Sequence, residues 1–254
     1  MINTIQKKKV KTNRKWVIII SLILCNLSYS QIKNHDLESL FKEWRAFEIP
    51  PQMEGVPDYS QETFDQRLAA YQNLRRKLET LPKERWTVKE QVDWHLLWAE
   101  MNGFMFNYKI LKPWQRDPAF YKSIWTYKSD VPAHEGPTSH FVIELWQYDF
   151  PLTKGERKKL ISSIKKIPNF NSQAMKNLMG NAKDLWIAGI RDIENQVQIL
   201  DDILSKPKVA QDNELVTQIE KAKSSTNEFV NWLKQQASKK TGPSGIGKEH
   251  YTWY

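Results

Sequence analysis

The apolar residues of this chain recur every three or four positions over long stretches and nowhere sustain an every-second-position alternation. That spacing puts them on one side of a 3.6-residue helix and leaves little for a half-buried strand. Over 61–81 the stripe is Phe64, Leu68, Tyr71, Leu74, Leu78 and Leu81, ending at Pro82. Over 87–111, Val88, Val92, Leu96, Ala99, Gly103, Phe106 and Ile110 share one face, and Trp94, Trp98, Met101 and Met105 form a second. A helix apolar on two sides is expected at the centre of a bundle. Thr153 and Glu156 have the spacing of a capping box, and Leu160, Ile161, Ile164 and Ile167 carry that helix to Pro168.

From Asn171 the stripe Met175, Met179, Ala182, Trp186, Gly189, Ile193, Val197, Leu200 and Leu204 continues to Pro207. Unbroken, it predicts a helix roughly 50 Å long at 1.5 Å per residue. Leu215, Ile219, Ala222, Phe229 and Leu233 mark another helix. Between 112 and 152, Pro113, Pro118, Pro132, Pro137 and Pro151 interrupt an aromatic-rich run, which reads as a long ordered connection with a short helix over 138–149. No Asn-Gly or Asp-Gly hairpin signal appears. The expected fold class is all-α, with long antiparallel helices and a Pro- and aromatic-rich connection.

The N-terminus reads as an address. Lys7, Lys8, Lys9, Lys11, Arg14 and Lys15 precede the apolar run 16–24, then Ser28-Tyr29-Ser30 places small serines at the two positions a signal peptidase reads. The expectation is a secretory signal over 1–30, a single helical domain over 31–254, and export to the periplasm or beyond the cell. An uncleaved anchor meets an apolar run well short of about 20 residues. A lipidated Cys25 would follow Leu24, where a small residue belongs. The formal charge of +9 belongs mostly to this leader: without its six bases, 32 Lys and Arg face 29 Asp and Glu. The basic footprint of a nucleic-acid binder is therefore missing from the body, so no nucleic-acid partner is expected, and membrane contact is expected only during export. Cys25 is the only cysteine, so loss of the leader removes disulfides, Cys-ligated zinc and a Cys nucleophile together.

Candidate sites are few. His134-Glu135-Gly136-Pro137-Thr138-Ser139-His140 resembles a zinc motif, but its histidines lie six apart with a helix-breaking Gly-Pro between them, where H-E-x-x-H needs four. Gly242-Pro243-Ser244-Gly245-Ile246-Gly247-Lys248 matches the core of a phosphate loop, but Glu249 stands where Ser or Thr should hold magnesium. It follows a helix rather than a strand, and reads as a turn restarting a helix at Lys248. Trp86, Trp94, Trp98, Trp114, Trp125 and Trp146 offer either core area or a stacking platform for a glycan or peptide. Glu90, Glu100 and Glu144 are scattered, with no spacing that makes a catalytic pair. No catalytic, cofactor-binding or metal-ligating residue is predicted.

The tail adds a resemblance. Trp232-Leu233, a polar linker, and Gly245-Ile246-Gly247-Lys248-Glu249-His250-Tyr251-Thr252-Trp253-Tyr254 resemble the middle of the bacterial domain-of-unknown-function family 885. Members carry a similar Gly-x-Gly-Lys-Glu-x-Tyr-x-Trp-Tyr stretch after a helical N-terminal half. Arg116-Asp117-Pro118-Ala119-Phe120-Tyr121 and the helix over 153–168 also look like that half. The resemblance covers about residues 35–254. It implies an exported helical protein related to zinc metallopeptidases of the thimet-oligopeptidase type, with peptide substrates. Zinc would sit on an H-E-x-x-x-G-H motif in the C-terminal half, which this chain lacks. The expectation is a non-catalytic N-terminal half, inactive alone, with an apolar helix face exposed near 171–204 or 245–254.

Overall fold

The computed structural model describes residues 36–128 and 139–253. The leader, His134, Glu135, Gly136, Pro137, Thr138 and Tyr254 lie outside the described residues.

The fold is all-α. It begins with a helix that the stripes above do not include, α1 (36–48), whose Leu37, Leu40 and Trp44 are buried three or four apart. A hairpin follows, β1 (Gln52–Met53) and β2 (Val56–Pro57). Its turn uses positive φ at Glu54 and Gly55, a Glu-Gly form of the two-residue hairpin in place of Asn-Gly or Asp-Gly. Ser60 then caps α2 (Gln61–Glu79) through the Thr63 N–H. Thr87 and Glu90 form a reciprocal capping box for α3 (Val88–Phe106). A π-helical turn carries α3 to Leu111, and left-handed Lys112 ends it before α4 (Pro113–Arg116).

Helices α1, α2 and α3 build one apolar cluster. Trp94 Nε1 donates to Leu78 O (2.9 Å), Arg75 donates to Asn102 Oδ1 (2.8 Å), and the Tyr71 hydroxyl donates to Met101 O (3.2 Å). These pairings run in opposite senses along α2 and α3, so the two are antiparallel. Trp44, Tyr71, Leu78, Trp94, Leu97 and Met101 fill the space between the three helices.

The second cluster is larger. The connection 112–152 is ordered where it is described, but no helix forms over 139–149. Ile143–Glu144 is a short strand, β4, paired in parallel with β3 (Ile124–Trp125), and Leu145–Gln147 is a 3-10 turn. Thr153 and Glu156 make the expected capping box, starting α5 (Lys154–Ile164). Pro168 opens α6 (Ile167–Asn177) instead of ending α5, because proline at the first turn forfeits no helical hydrogen bond.

The single 50 Å helix is not observed. The stripe breaks after Asn177, and α7 (Lys183–Leu204) starts afresh. Met179 N–H and Gly180 N–H both donate to Gln115 O (3.1 and 2.7 Å), and a Cβ on Gly180 would lie 2.8 Å from Arg116 Cα. Tertiary contact with α4 thus takes over the backbone bonds that helix continuation would need. Helix α8 (Asn213–Ala237) pairs with α7 through Glu194–Lys234 and Asp201–Lys223, an antiparallel arrangement. Trp186, Ile193, Leu200, Phe229 and Leu233 lie between them, fully buried. Gly189 lets the Pro118–Tyr121 turn lie directly on α7. The half-buried Phe104 packs against both clusters. The chain ends its described course in α9 (Gly247–Trp253), a helix restarting within one residue of Lys248.

Candidate interaction surface

Helix α3 is not central, as its two apolar faces suggested. Its Trp94–Leu97–Met101 face is buried against α1 and α2, while Val88, Val92 and Leu96 remain 78, 50 and 60% exposed. Full burial of one such side chain is worth about 1.5–3 kcal/mol, so these three leave roughly 3–5 kcal/mol of gross burial unused at those exposures. Small Ala99 and Gly103 continue the same stripe, and a Cβ on Gly103 would meet nothing.

Beside the stripe, α1 and α3 flank a groove of about 400 Å³. Leu37, Phe41, Leu96 and Leu97 supply its apolar lining, and Glu38, Asp93 and Glu100 its acidic rim. Arg45 is the one cation in the lining. It reaches Glu48 through Nη1 (2.7 Å) and Glu100 through Nη2 (2.8 Å), with its guanidinium 4.8 Å from the Phe41 ring centre. Glu100 also accepts from Trp44 Nε1 (3.1 Å). This carboxylate therefore fixes the register of α1 on α3. The groove has an apolar floor and charged edges.

The residues singled out in the sequence are dispersed. Glu90 caps α3, Glu100 clamps α1, and Glu144 accepts from Gln147 Nε2, so the three share no cleft. Trp86, Trp94 and Trp114 are buried, while Trp125 and Trp146 are half-buried. Trp98 is exposed, with Arg75 over its ring at 4.9 Å. The aromatic-rich segment thus serves mainly as core. Of the zinc-like motif, only Ser139 and His140 are described. The Tyr59 hydroxyl accepts from the His140 N–H (2.5 Å) and lies 3.2 Å from Nδ1 of the same residue. Withdrawal of the ring from solvent, then the charge of Arg67, hold the His140 pKa below its usual value. Among the described residues, no three His, Cys, Asp or Glu side chains gather as metal ligands, and no helix is long and apolar enough to cross a membrane.

The phosphate-loop look-alike has an architectural role. Ala182 precedes α7 without a capping side chain. Ser244 Oγ instead accepts from the N–H groups of Asp184 (2.7 Å) and Leu185 (3.2 Å), and Gly242 O accepts from Lys183 (3.2 Å). Asn181 Oδ1 answers by accepting from Thr241 and Gly242 (2.7 and 2.9 Å). The segment thus braces the start of α7 against the end of the 213–242 stretch.

Sequence reasoning missed Leu37, Phe41, Arg45 and Asp93. The readable signal was the spacing of Leu37, Leu40, Trp44 and Phe47, which is that of a helical face. No family model, curated protein or solved structure matches the chain.

Proposed function

We propose that this is an exported, non-catalytic helical module whose work is to hold another helical element on the outward face of α3. The exposed Val88–Val92–Leu96 stripe beside the α1–α3 groove carries the reading. Contiguous apolar surface of this kind marks interaction sites. Export rests on the basic, apolar and small-residue order of residues 1–30. The resemblance of the 245–254 tail to family 885 adds a proposal of ancestry. In that view the chain corresponds to the N-terminal half of a metallopeptidase-like protein, and in an intact relative the zinc and the peptide chemistry belong to the other half.

An environment-sensitive apolar dye tests the surface. The purified chain should enhance its emission, and Val92→Lys/Leu96→Glu should cut that enhancement at least threefold with unchanged helical circular dichroism. Equal dye binding by the variant would refute the site. Metal-dependent hydrolysis of peptides by the purified chain would refute the non-catalytic reading.

A further inference from the structure

We infer that α5 is a docking face for an anionic lipid surface, which it meets through Lys154, Lys158, Lys159 and Lys165. The inference stands apart from the α3 surface and begins with where the charge of the body lies. Residues 31–254 hold 32 Lys and Arg against 29 Asp and Glu, and residues 154–166 hold six of those bases against one acid, Glu156. The rest of the body then has 26 bases against 28 acids, so its whole positive excess sits on α5 and the turn that ends it. By contrast, α1, α3 and α7 are net acidic, and α2 and α8 lie within one charge of balance.

These charges share one side of the helix and are unpaired. The helical period sets Lys154, Lys158 and Lys165 along one edge and Lys159 and Lys166 along the other, with Gly155 and Ser162 between them. Lys154, Lys158, Lys159, Ser162 and Lys165 are all exposed. Among the described residues, the side chains of Lys154, Lys158, Lys165 and Lys166 make no ion pair or hydrogen bond, and Lys159 meets only the Tyr148 ring, at 5.8 Å. Lys154 and Lys158 repel as a like-charged i, i+4 pair, and Lys154 holds the first helical position, at the positive end of the macrodipole. Negative charge from outside the chain relieves both conflicts.

The make-up of the face selects the anion. Five of the six bases are lysines, hydrated point charges suited to a diffuse anionic field. The one arginine, Arg157, which could grip a phosphate through two hydrogen bonds, is engaged by Asp212 and Glu214. No aromatic residue belongs to α5, so the face offers no platform on which a nucleic-acid base could stack. Clusters of roughly four to eight bases are what anionic headgroups attract. The apolar side of α5, Leu160, Ile161 and Ile164, is buried in the core, so the helix rests on the headgroups without inserting, and salt releases it.

The test is co-sedimentation of the full chain with phosphatidylcholine vesicles that contain or lack phosphatidylglycerol. The leader is common to every variant, so differences between variants read α5. Lys154→Gln/Lys158→Gln/Lys165→Gln should weaken binding to the anionic vesicles roughly a hundredfold, about fivefold per base lost, with unchanged helical circular dichroism. Lys154→Arg/Lys158→Arg/Lys165→Arg should retain it. Lys89→Gln/Lys109→Gln/Lys176→Gln, which removes three exposed bases elsewhere, should change it by less than about threefold. A fluorophore attached through Ser162→Cys in a Cys25→Ser background should be quenched by a quencher carried on the lipid headgroups. Equal weakening in the Lys89, Lys109 and Lys176 variant would reduce the attraction to net charge and overturn the inference. Anionic-vesicle binding that survives loss of Lys154, Lys158 and Lys165, absence of binding by the parent, or an unquenched label would overturn it as well. An oligonucleotide bound more tightly than the vesicles, through the same three lysines, would make nucleic acid the occupant in place of lipid.

Discussion

Gln196 is the polar pin of the larger cluster, and replacing it by methionine measures that pin. The side chain is fully buried in α7, and its Oε1 accepts from Ser123 N–H (2.7 Å), Ser123 Oγ–H (3.2 Å) and Ile124 N–H (3.1 Å). It thereby ties β3, at the heart of the 112–152 connection, to the longest buried face of α7. Methionine keeps the volume but offers no comparable acceptor, so two buried backbone N–H groups lose their partner at about 1–3 kcal/mol each. Gln196 Nε2 is itself buried without a hydrogen-bond partner, and its removal returns a similar amount once. The net expectation for Gln196→Met is a loss of about 2 kcal/mol. For a chain of this size that lowers Tm by roughly 4–8 °C. Thermal unfolding followed by circular dichroism reads the total, and native-state hydrogen exchange reads the place. Ser123 and Ile124 amides should lose protection while α8 core amides keep theirs relative to the new global stability. A Tm within 1 °C of the parent would refute the claim that this acceptor holds the connection in place.

Three further outcomes follow from the same kind of accounting. Ser244→Ala removes the hydroxyl that caps α7 from 60 residues away and should cost about 1 kcal/mol, read as a Tm drop of roughly 2–4 °C. The same substitution at exposed Ser238, whose hydroxyl donates to Gln235 O three residues back, should be nearly silent. Gly189→Ala would set a Cβ 2.7 Å from Ala119 N, so the Pro118–Tyr121 turn must lift from α7; urea denaturation should show a loss of about 1–3 kcal/mol. His140 binds its proton less readily in the native state than in the unfolded chain, so its contribution to stability is complete above the unfolded pKa and declines as pH falls through that value towards the native one. Unfolding midpoints between pH 7 and 5 should therefore fall less steeply in His140→Gln than in the parent, and parallel curves would show that the ring titrates alike in both states.

The helical faces were legible because burial is periodic. Thr153 with Glu156 located the start of α5 within a residue, since the capping box is a local device that needs no tertiary partner. The break between α6 and α7 was not legible for the opposite reason. Met175, Met179, Ala182 and Trp186 keep helical spacing through it, and only the carbonyl of Gln115 captures the amides of Met179 and Gly180. The mistaken role of Pro168 is similar: proline is compatible with either edge of a helix boundary, and the packing of Ile167 and Phe170 decides which.

The surface on α3 was misread for a subtler reason, and the correction has a use. Val88, Val92 and Leu96 repeat as a core stripe does, so hydrophobic period alone assigned them to a bundle interior. A stripe records that a face is meant to be covered, without recording by which chain. The distinction lies in what borders it. The face of α3 buried against α1 and α2 adjoins Trp44, Tyr71 and Leu78, with Glu100 held by Arg45 and Trp44 at its edge. The exposed face adjoins Asp93 and, across the groove on α1, Glu38, which Lys42 holds at 2.7 Å. What borders a stripe, aromatics with satisfied polar pairs on one side and charged side chains at the surface on the other, thus separates the two faces of α3 where hydrophobic period alone does not.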